Sequence, residues 1–542
     1  MTSVSGRLRA AIAVVAVFVV LTGFMTWPQA RTLASRAVPH QDVYFNMWRL
    51  AWIAHVSETP SARLFDGNIF YPERRTLALS DAMLVEGAAA APLFWMRMRP
   101  VLIHNLMMLG PIALSGAALF ALVVYLTGSR GAGLLAGIAF AFAPYRFEHL
   151  MHMELQWTIW MPLAFFALHK TLETGRLSWG LTTGLMIALQ MLSSIYYGIF
   201  LATLFGICGA LLLMVDRRVT LRRALVPLAA GAALALVISA AYAIPYLKVR
   251  DEVGERPQDQ VVMFSARPSN YLVATPTNWL YGRMFESRGR GERRLFPGLV
   301  VVVLAIAGLL LEAPSARAMI YLLALVTAFE ASLGFSGYVY RFLFDYVPAY
   351  RGLRAPARLG IFVVMFLGIL AGYGYATIAR SLHVNVRRAL LVVLAVAMLI
   401  EYSVTIPLTA YPNTAPPVYR YLAQHPRGVV AEFPFPRADE LPGPDPEYAY
   451  LSIFHWFPLV NGYSGIHPPS YLARLSRLRQ FPDATSQAQL HYDGVRYVIV
   501  HTSGYRPEAV AGLLDEVYKA GPFRQLGVFD DGDGPAYLFS FR

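Results

Sequence analysis

The stretch with the clearest chemical potential is Pro39-His40-Gln41-Asp42-Val43-Tyr44-Phe45-Asn46-Met47-Trp48-Arg49-Leu50, which follows an apolar run long enough to cross a bilayer. An acid in this setting has two readings. In the first, Asp42 caps an interfacial amphipathic helix whose lipid-facing side carries Phe45, Trp48, Leu50 and Trp52. In the second, Asp42 is a catalytic base held at the bilayer surface to take a proton from a substrate. A second polar group, Tyr145 to Glu154, places His149 and His152 three apart, so a helical turn would put both imidazoles on one face. With Glu154 they could hold a divalent cation or hydrogen-bond a substrate; an interfacial turn facing water is the plainer alternative. A third group is basic: Arg267, Arg293, Arg294, Arg354 and Arg358. Guanidinium forks match phosphate oxygens two at a time, so Arg354 and Arg358, at the mouth of an apolar run, suit either a phosphate-bearing substrate or phospholipid head groups. Tyr196 and Tyr197 sit on a tight break, where they either line access for a lipid chain or simply anchor the interface.

These residues are spaced by apolar runs. Of the 542 residues 56% are hydrophobic and only 15% charged, a balance that implies a polytopic membrane protein. The first run spans 10–27 behind Arg7 and Arg9 and reads as an uncleaved helix. Further spans are expected near 101–127, 131–144, 156–172, 178–193, 197–214, 225–245, 297–311, 318–334, 359–379 and 389–407, about eleven with the first. Between the first two lies a large polar loop, 28–100, which also carries Asp66 and Asp81. Arg130, Lys170, Arg176, Arg217, Arg218, Arg222, Arg223, Arg317, Arg380, Arg387 and Arg388 fall on alternate short breaks. The positive-inside rule assigns those breaks to the cytoplasm, and the Asp42 loop and everything beyond about residue 408 to the outside. The net charge of +13 is explained the same way, with membrane lipids rather than nucleic acid as the partner. From 408 to 542 no spanning run follows. Strands at 429–433 and 495–500 and helices at 416–422 and 507–519 predict an α/β domain outside the membrane. Its most distinctive loop is Asn461-Gly462-Tyr463-Ser464-Gly465, a structural turn or a ligand contact.

Absent patterns narrow the chemistry. There is no phosphate-binding G-x-x-x-x-G-K-[ST] loop, no H-E-x-x-H and no G-x-S-x-G, which argues against ATP-driven transport, a zincin and a nucleophile-elbow hydrolase. The single cysteine, Cys208, rules out an intramolecular disulfide and reads as a packing residue. Acids within the spans are few, Glu330 and Glu401, which is sparse for a transporter.

Taken together, a first helix, a large loop with an acid near its start, a multi-span bundle and a C-terminal domain resemble the GT-C class of polytopic glycosyltransferases. The phrases His40–Arg49, Tyr145–Glu154, Arg354–Arg358 and Asn461–Gly465 look like those of bacterial members related to lipid-A-core and mannosyl transferases. The resemblance implies an inverting transfer of a sugar from a polyprenyl-phosphate carrier to a hydroxyl on a glycan, lipid or protein acceptor. It maps the essential acid onto Asp42. It further implies that Arg354 and Arg358, with Arg267, hold the departing phosphate, and that His149, His152 and Glu154 orient the sugar. Tyr196 and Tyr197 would line the carrier's path. Asp42 has no adjacent acid, unlike the paired acids of many class members, so no metal site is assigned and a divalent cation is only one option. The alternatives are a lipid or polysaccharide transporter and a non-catalytic membrane scaffold.

Overall fold

The computed structural model describes residues 4–215, 221–255, 257–311 and 313–542; Arg217 and Arg218 lie outside them. Every expected span is a helix at its expected place: Val4–Met25, Pro100–Thr127, Arg130–Phe142, Trp160–Thr174, Leu177–Ser193, Ile195–Val215, Leu221–Val253, Leu299–Leu310, Ala316–Ser332, Gly360–Arg380 and Val384–Glu401. The last ends at Glu401 rather than at 407. Among the described residues five helices are long and apolar enough to cross a membrane by length and composition alone; Leu177–Ser193 and Leu299–Leu310 are apolar but shorter. The chain divides into two compact units.

The first unit comprises Met1–Thr32, Leu106–Ala243 and Glu255–Pro407. Its centre is the Gly360–Arg380 helix, apolar on every face and buried along nearly its whole length, as an all-round apolar pattern requires. The helices Leu299–Leu310, Arg130–Phe142 and Ala316–Ser332 pack around it. The closest approach is at Gly374, where a Cβ would stand 1.9 Å from the Leu304 carbonyl oxygen; only glycine lets the two backbones meet. The two acids of the spans are helix caps. Glu401 accepts the Leu299 and Val300 amides at 2.5 and 3.3 Å. Glu330 accepts the Tyr338 and Val339 amides at the start of the Val339–Tyr346 helix. Each carboxylate thus satisfies first-turn N–H groups and meets the positive end of a helix dipole. Cys208 is buried, as a packing residue would be.

The second unit comprises Leu33–Asn105, Ile244–Gly254 and Leu408–Arg542. Its α/β part has a four-stranded sheet. In chain order β1 is Arg36–Ala37, β2 Thr409–Ala410, β3 Val429–Phe433, β4 Val495–His501, β5 Phe523–Asp530 and β6 Pro535–Phe541. The sheet order is β3-β4-β6-β5, with β3 parallel to β4 and the other pairs antiparallel. Phe433, Phe481, Val498, Val500, Leu490 and Phe539 are among the side chains of its core. The helices Pro417–Leu422 and Pro507–Lys519 form where expected.

The residues before Asn105 are stitched to those after Leu408. β1 pairs antiparallel with β2. The Phe70 and Tyr71 amides donate to the Asn461 and Leu459 carbonyls at 2.9 and 2.8 Å, and the Leu459 amide to Asn68 at 2.7 Å. The Gln41–Glu58 helix packs on both Leu84–Trp95 and Asp445–Leu451. This burial corrects the expectation of a lipid-facing side: Phe45, Trp48, Leu50 and Trp52 are all at most 4% exposed. Their large apolar area goes into the interior of the unit, where it contributes more than at a wet interface.

Candidate functional site

In the second unit the site is built at the start of the Gln41–Glu58 helix. His40 is the N-cap, its Nδ1 accepting the Asp42 amide at 3.1 Å. The expectation that Asp42 caps the helix is therefore corrected: the cap position is filled by an imidazole, which leaves the Asp42 carboxylate for other contacts. Its Oδ1 accepts the Tyr463 hydroxyl at 2.5 Å. Its Oδ2 lies 3.6 Å from His40 Nδ1, and the Asp42 side chain keeps 16% of its surface exposed. A carboxylate held by a phenol and open to solvent is positioned and still able to receive a proton.

Tyr463 is delivered by the Asn461–Gly465 turn, whose geometry is over-determined. The Phe70 ring lies over Gly462, where a Cβ would stand 2.6 Å from it. Asn461 accepts the Glu432 amide at 2.8 Å and donates to the Glu432 carbonyl and to Asp445 Oδ1 at 2.9 and 3.0 Å. Asp445 also accepts the Tyr471 hydroxyl. Burial pushes the Asp445 carboxyl up to about 7, against the opposing pull of the Tyr471 and Asn461 hydrogen bonds. Beneath it, Glu432 accepts Tyr419 at 2.5 Å and faces His501 Nε2 at 2.8 Å. Of the other loop acids, Asp66 accepts the Arg75 amide at 2.9 Å, a structural contact within its own loop. At Asp81 the backbone carbonyl accepts Arg49 Nη1 at 2.6 Å.

The first unit assembles a different group. Glu292, between two expected spans, accepts Arg358 Nε and Nη2 at 3.0 and 2.6 Å and lies 3.7 Å from His149 Nε2. Burial alone would raise the Glu292 carboxyl; Arg358 and His149 overcome it and hold it well below the usual carboxylate range. Burial pushes the His149 imidazole down to about 3, despite Glu292 beside it, so it is neutral at physiological pH. His149 and His152 face each other through Nδ1 at 3.3 Å, although by a turn between short helices rather than one helical face. Glu154 is buried nearby, within electrostatic range of Arg358. The Arg358 guanidinium stacks on Tyr196 at 4.7 Å, and the Tyr196 hydroxyl accepts the Arg354 amide at 3.0 Å. The Arg354 guanidinium lies over the Phe264 ring at 5.4 Å and forms no ion pair among the described residues.

Three expected placements change. Arg358 is 6% exposed and its fork is already taken by Glu292, so it does not stand open to a phosphate. Tyr197 is fully buried with its hydroxyl 3.1 Å from Tyr145, which puts it inside the bundle rather than along an access path. Arg267 is exposed at the start of the Pro268–Leu272 turn, its amide donating to Asn270. Among the described residues no group of three His, Cys, Asp or Glu side chains is arranged to hold a metal ion. Sequence reading missed Glu292 and Tyr463. Glu292 stands between the basic residues that drew attention, and Tyr463 lay inside the turn singled out as distinctive.

No protein-family description and no curated protein matches this chain. Among solved structures, the apo oligosaccharyltransferase of Archaeoglobus fulgidus superposes with a TM-score of 0.50 at 12% identity, over 90% of this chain and 69% of that one. ArnT from Cupriavidus metallidurans bound to undecaprenyl phosphate gives a TM-score of 0.46 at 13% identity, over 99% of this chain and 98% of that one. The protein is thus a multi-pass membrane protein with the fold of the GT-C glycosyltransferases and a C-terminal α/β domain. At these identities the likeness is one of fold.

Proposed function

We propose that this protein is an inverting glycosyltransferase of the cytoplasmic membrane that uses a polyprenyl-phosphate sugar as donor and a hydroxyl-bearing glycan, lipid or protein as acceptor. The acceptor oxygen attacks the anomeric carbon and the new C–O bond forms. The bond from that carbon to the carrier phosphate breaks, with its electron pair leaving on the phosphate. Asp42 receives the acceptor proton. The observation that carries this reading is the Asp42 carboxylate itself, oriented by Tyr463, part open to solvent and freed from capping by His40. Arg354, with its guanidinium unclaimed by any carboxylate among the described residues, is assigned the carrier phosphate, where charge grows during transfer. Arg358 is reassigned from phosphate contact to bracing: with Glu292 it holds the His149 loop and the Tyr196 ring. The kinship to lipid-A-core and mannosyl transferases rests on the sequence phrases alone, and the donor sugar is left at its class. The two acids within the spans, Glu330 and Glu401, serve as helix caps, which favours this reading over transport.

The orientation follows the charge pattern, with the N-terminus in the cytoplasm and Asp42 and residues beyond 408 outside; reporter fusions at Arg222 and at the C-terminus should report opposite compartments. The reaction is tested by mass spectrometry of lipid copurifying with the full chain, followed by a transfer assay with that lipid and the Asp42→Asn variant. Copurification of a glycosylated polyprenyl phosphate and loss of transfer in the variant are the expected results. Near-normal transfer by a correctly inserted Asp42→Asn protein overturns the assignment.

A further inference from the structure

Asp445 takes no part in the proposed transfer, yet it is fully buried beside the turn that carries Tyr463. It opens the Asp445–Leu451 helix, which packs on the Gln41–Glu58 helix bearing Asp42. Each of its oxygens reaches the turn by a different route. Oδ1 accepts the Asn461 side-chain amide at 3.0 Å, and that side chain clamps the Glu432 backbone with both of its ends. Oδ2 accepts the Tyr471 hydroxyl, and that hydroxyl in turn faces the Gly462 amide. One carboxyl therefore fixes two consecutive residues of the turn, directly before Tyr463. Both of its partners are donors. A carboxylate accepts on both oxygens, whereas an amide of the same size would present N–H to one of them. The position thus calls for an acid, although burial works against its charge.

The opposite side of the turn is fixed by Phe70. Its amide donates to the Asn461 carbonyl at 2.9 Å, and its ring covers Gly462. Phe70 itself holds φ at 61°, a left-handed conformation that is strained for a bulky residue and persists where the surroundings over-determine it. We infer that Asp445 is a positioning residue for the transfer, resting on the reading of Asp42 as its base: through Asn461 and Tyr471 it sets the turn that brings the Tyr463 hydroxyl to the Asp42 carboxylate. Its influence on turnover passes through Tyr463, so its loss costs no more than loss of that hydroxyl. The plainer reading, a buried acid that stabilises the α/β core, predicts lower stability with unchanged turnover of the folded protein.

The experiment joins transfer kinetics, with the copurifying lipid as donor, to amide hydrogen exchange of segment 461–465 in the full chain in detergent. Asp445→Asn and Tyr471→Phe should each lower kcat by about tenfold with donor KM unchanged, the scale of one misplaced hydrogen bond. Exchange at 461–465 should quicken in both. Combined with Tyr463→Phe, neither change should lower kcat further, because the route is already cut. Tyr471→Phe keeps its ring and decides the matter if Asp445→Asn fails to fold. Unchanged kcat in both variants, alongside an inactive Asp42→Asn, overturns the positioning role and leaves the base in place. Fully additive losses in the doubles overturn the route through Tyr463. Near-normal transfer by Asp42→Asn overturns the base reading instead, and unchanged exchange at 461–465 overturns the hold of Asp445 on the turn whatever that variant does.

Discussion

Two carboxylates, one in each compact unit, do opposite work with similar chemistry. Glu292 is gripped by the Arg358 fork beside a buried imidazole, and the charge of its partner holds its proton affinity low. Asp42 accepts the hydroxyl of a neutral phenol, lies 3.6 Å from the His40 imidazole and keeps contact with solvent. A carboxylate locked to a guanidinium resists protonation and braces loops; one that accepts a phenol is oriented by a neutral donor. The partner, more than the acid, decides whether a group can carry protons. The same contrast reassigns the arginines: Arg358 is committed, and Arg354 is available.

The comparison can be broken first at Asp42. We expect Asp42→Asn to lower turnover by roughly a hundred- to ten-thousandfold, the usual effect of losing a general base, with thermal unfolding hardly changed because His40 supplies the cap. Asp66→Asn and Asp81→Asn should lose less. Either one proving more damaging would move the base to that acid. Tyr463→Phe should retain stability and part of the activity, as expected of a residue that orients the base.

At Glu292 the effect should fall on stability instead. Glu292→Gln leaves a buried guanidinium without its counter-charge, at a cost of about 3–5 kcal/mol. Replacing both partners, Glu292→Leu with Arg358→Met, should recover most of it. Thermal unfolding in detergent reads both. A single variant as stable as the parent would show that the pair braces nothing.

Arg354→Lys should weaken donor binding about ten- to a hundredfold, the loss of a charge-assisted fork contact, with folding unchanged. Unchanged donor affinity in Arg354→Ala would return it to ordinary lipid contact.

The smallest expected effect is in pH, and the two units should slope in opposite directions. Asp445 has a folded pKa of about 7, above its unfolded value of 3.8, so the folded state binds the extra proton between them. Its contribution is complete below 3.8 and is lost as pH rises toward and through 7. His149 has a folded pKa of about 3, below its unfolded 6.5, so the unfolded state binds the extra proton and stability is lost as pH falls below 6.5. Depression of Glu292 adds to this acid-side loss below 4.5. Unfolding midpoints between pH 4.5 and 7.5 should therefore rise toward acid for the parent relative to Asp445→Asn, and fall toward acid relative to His149→Gln, each by about 1 kcal/mol or more. Slopes of the same sign would dissolve the contrast.

Apolar runs alone determined where the spanning helices lie, because helix formation there depends on local composition and on backbone hydrogen bonds made within the segment. The same local logic located β3, β4 and two helices of the α/β part. It did not find the β5–β6 hairpin, whose first strand is half exposed and lacks a clean alternation of buried and open residues. The site was legible as residues and illegible as pairs. Asp42 stood out as an acid among aromatics, yet its partner is 421 positions away, and the fork of Arg358 closes on an acid 66 positions earlier. The aromatics of the Asp42 helix read as a lipid face because composition cannot distinguish an interface from an interior, and packing of 33–105 with 408–542 made it an interior. Local periodicity is written in neighbouring residues, whereas hydrogen-bond partners and burial come from segments that meet only when the chain folds. Tertiary structure therefore decided which acid is locked and which is open.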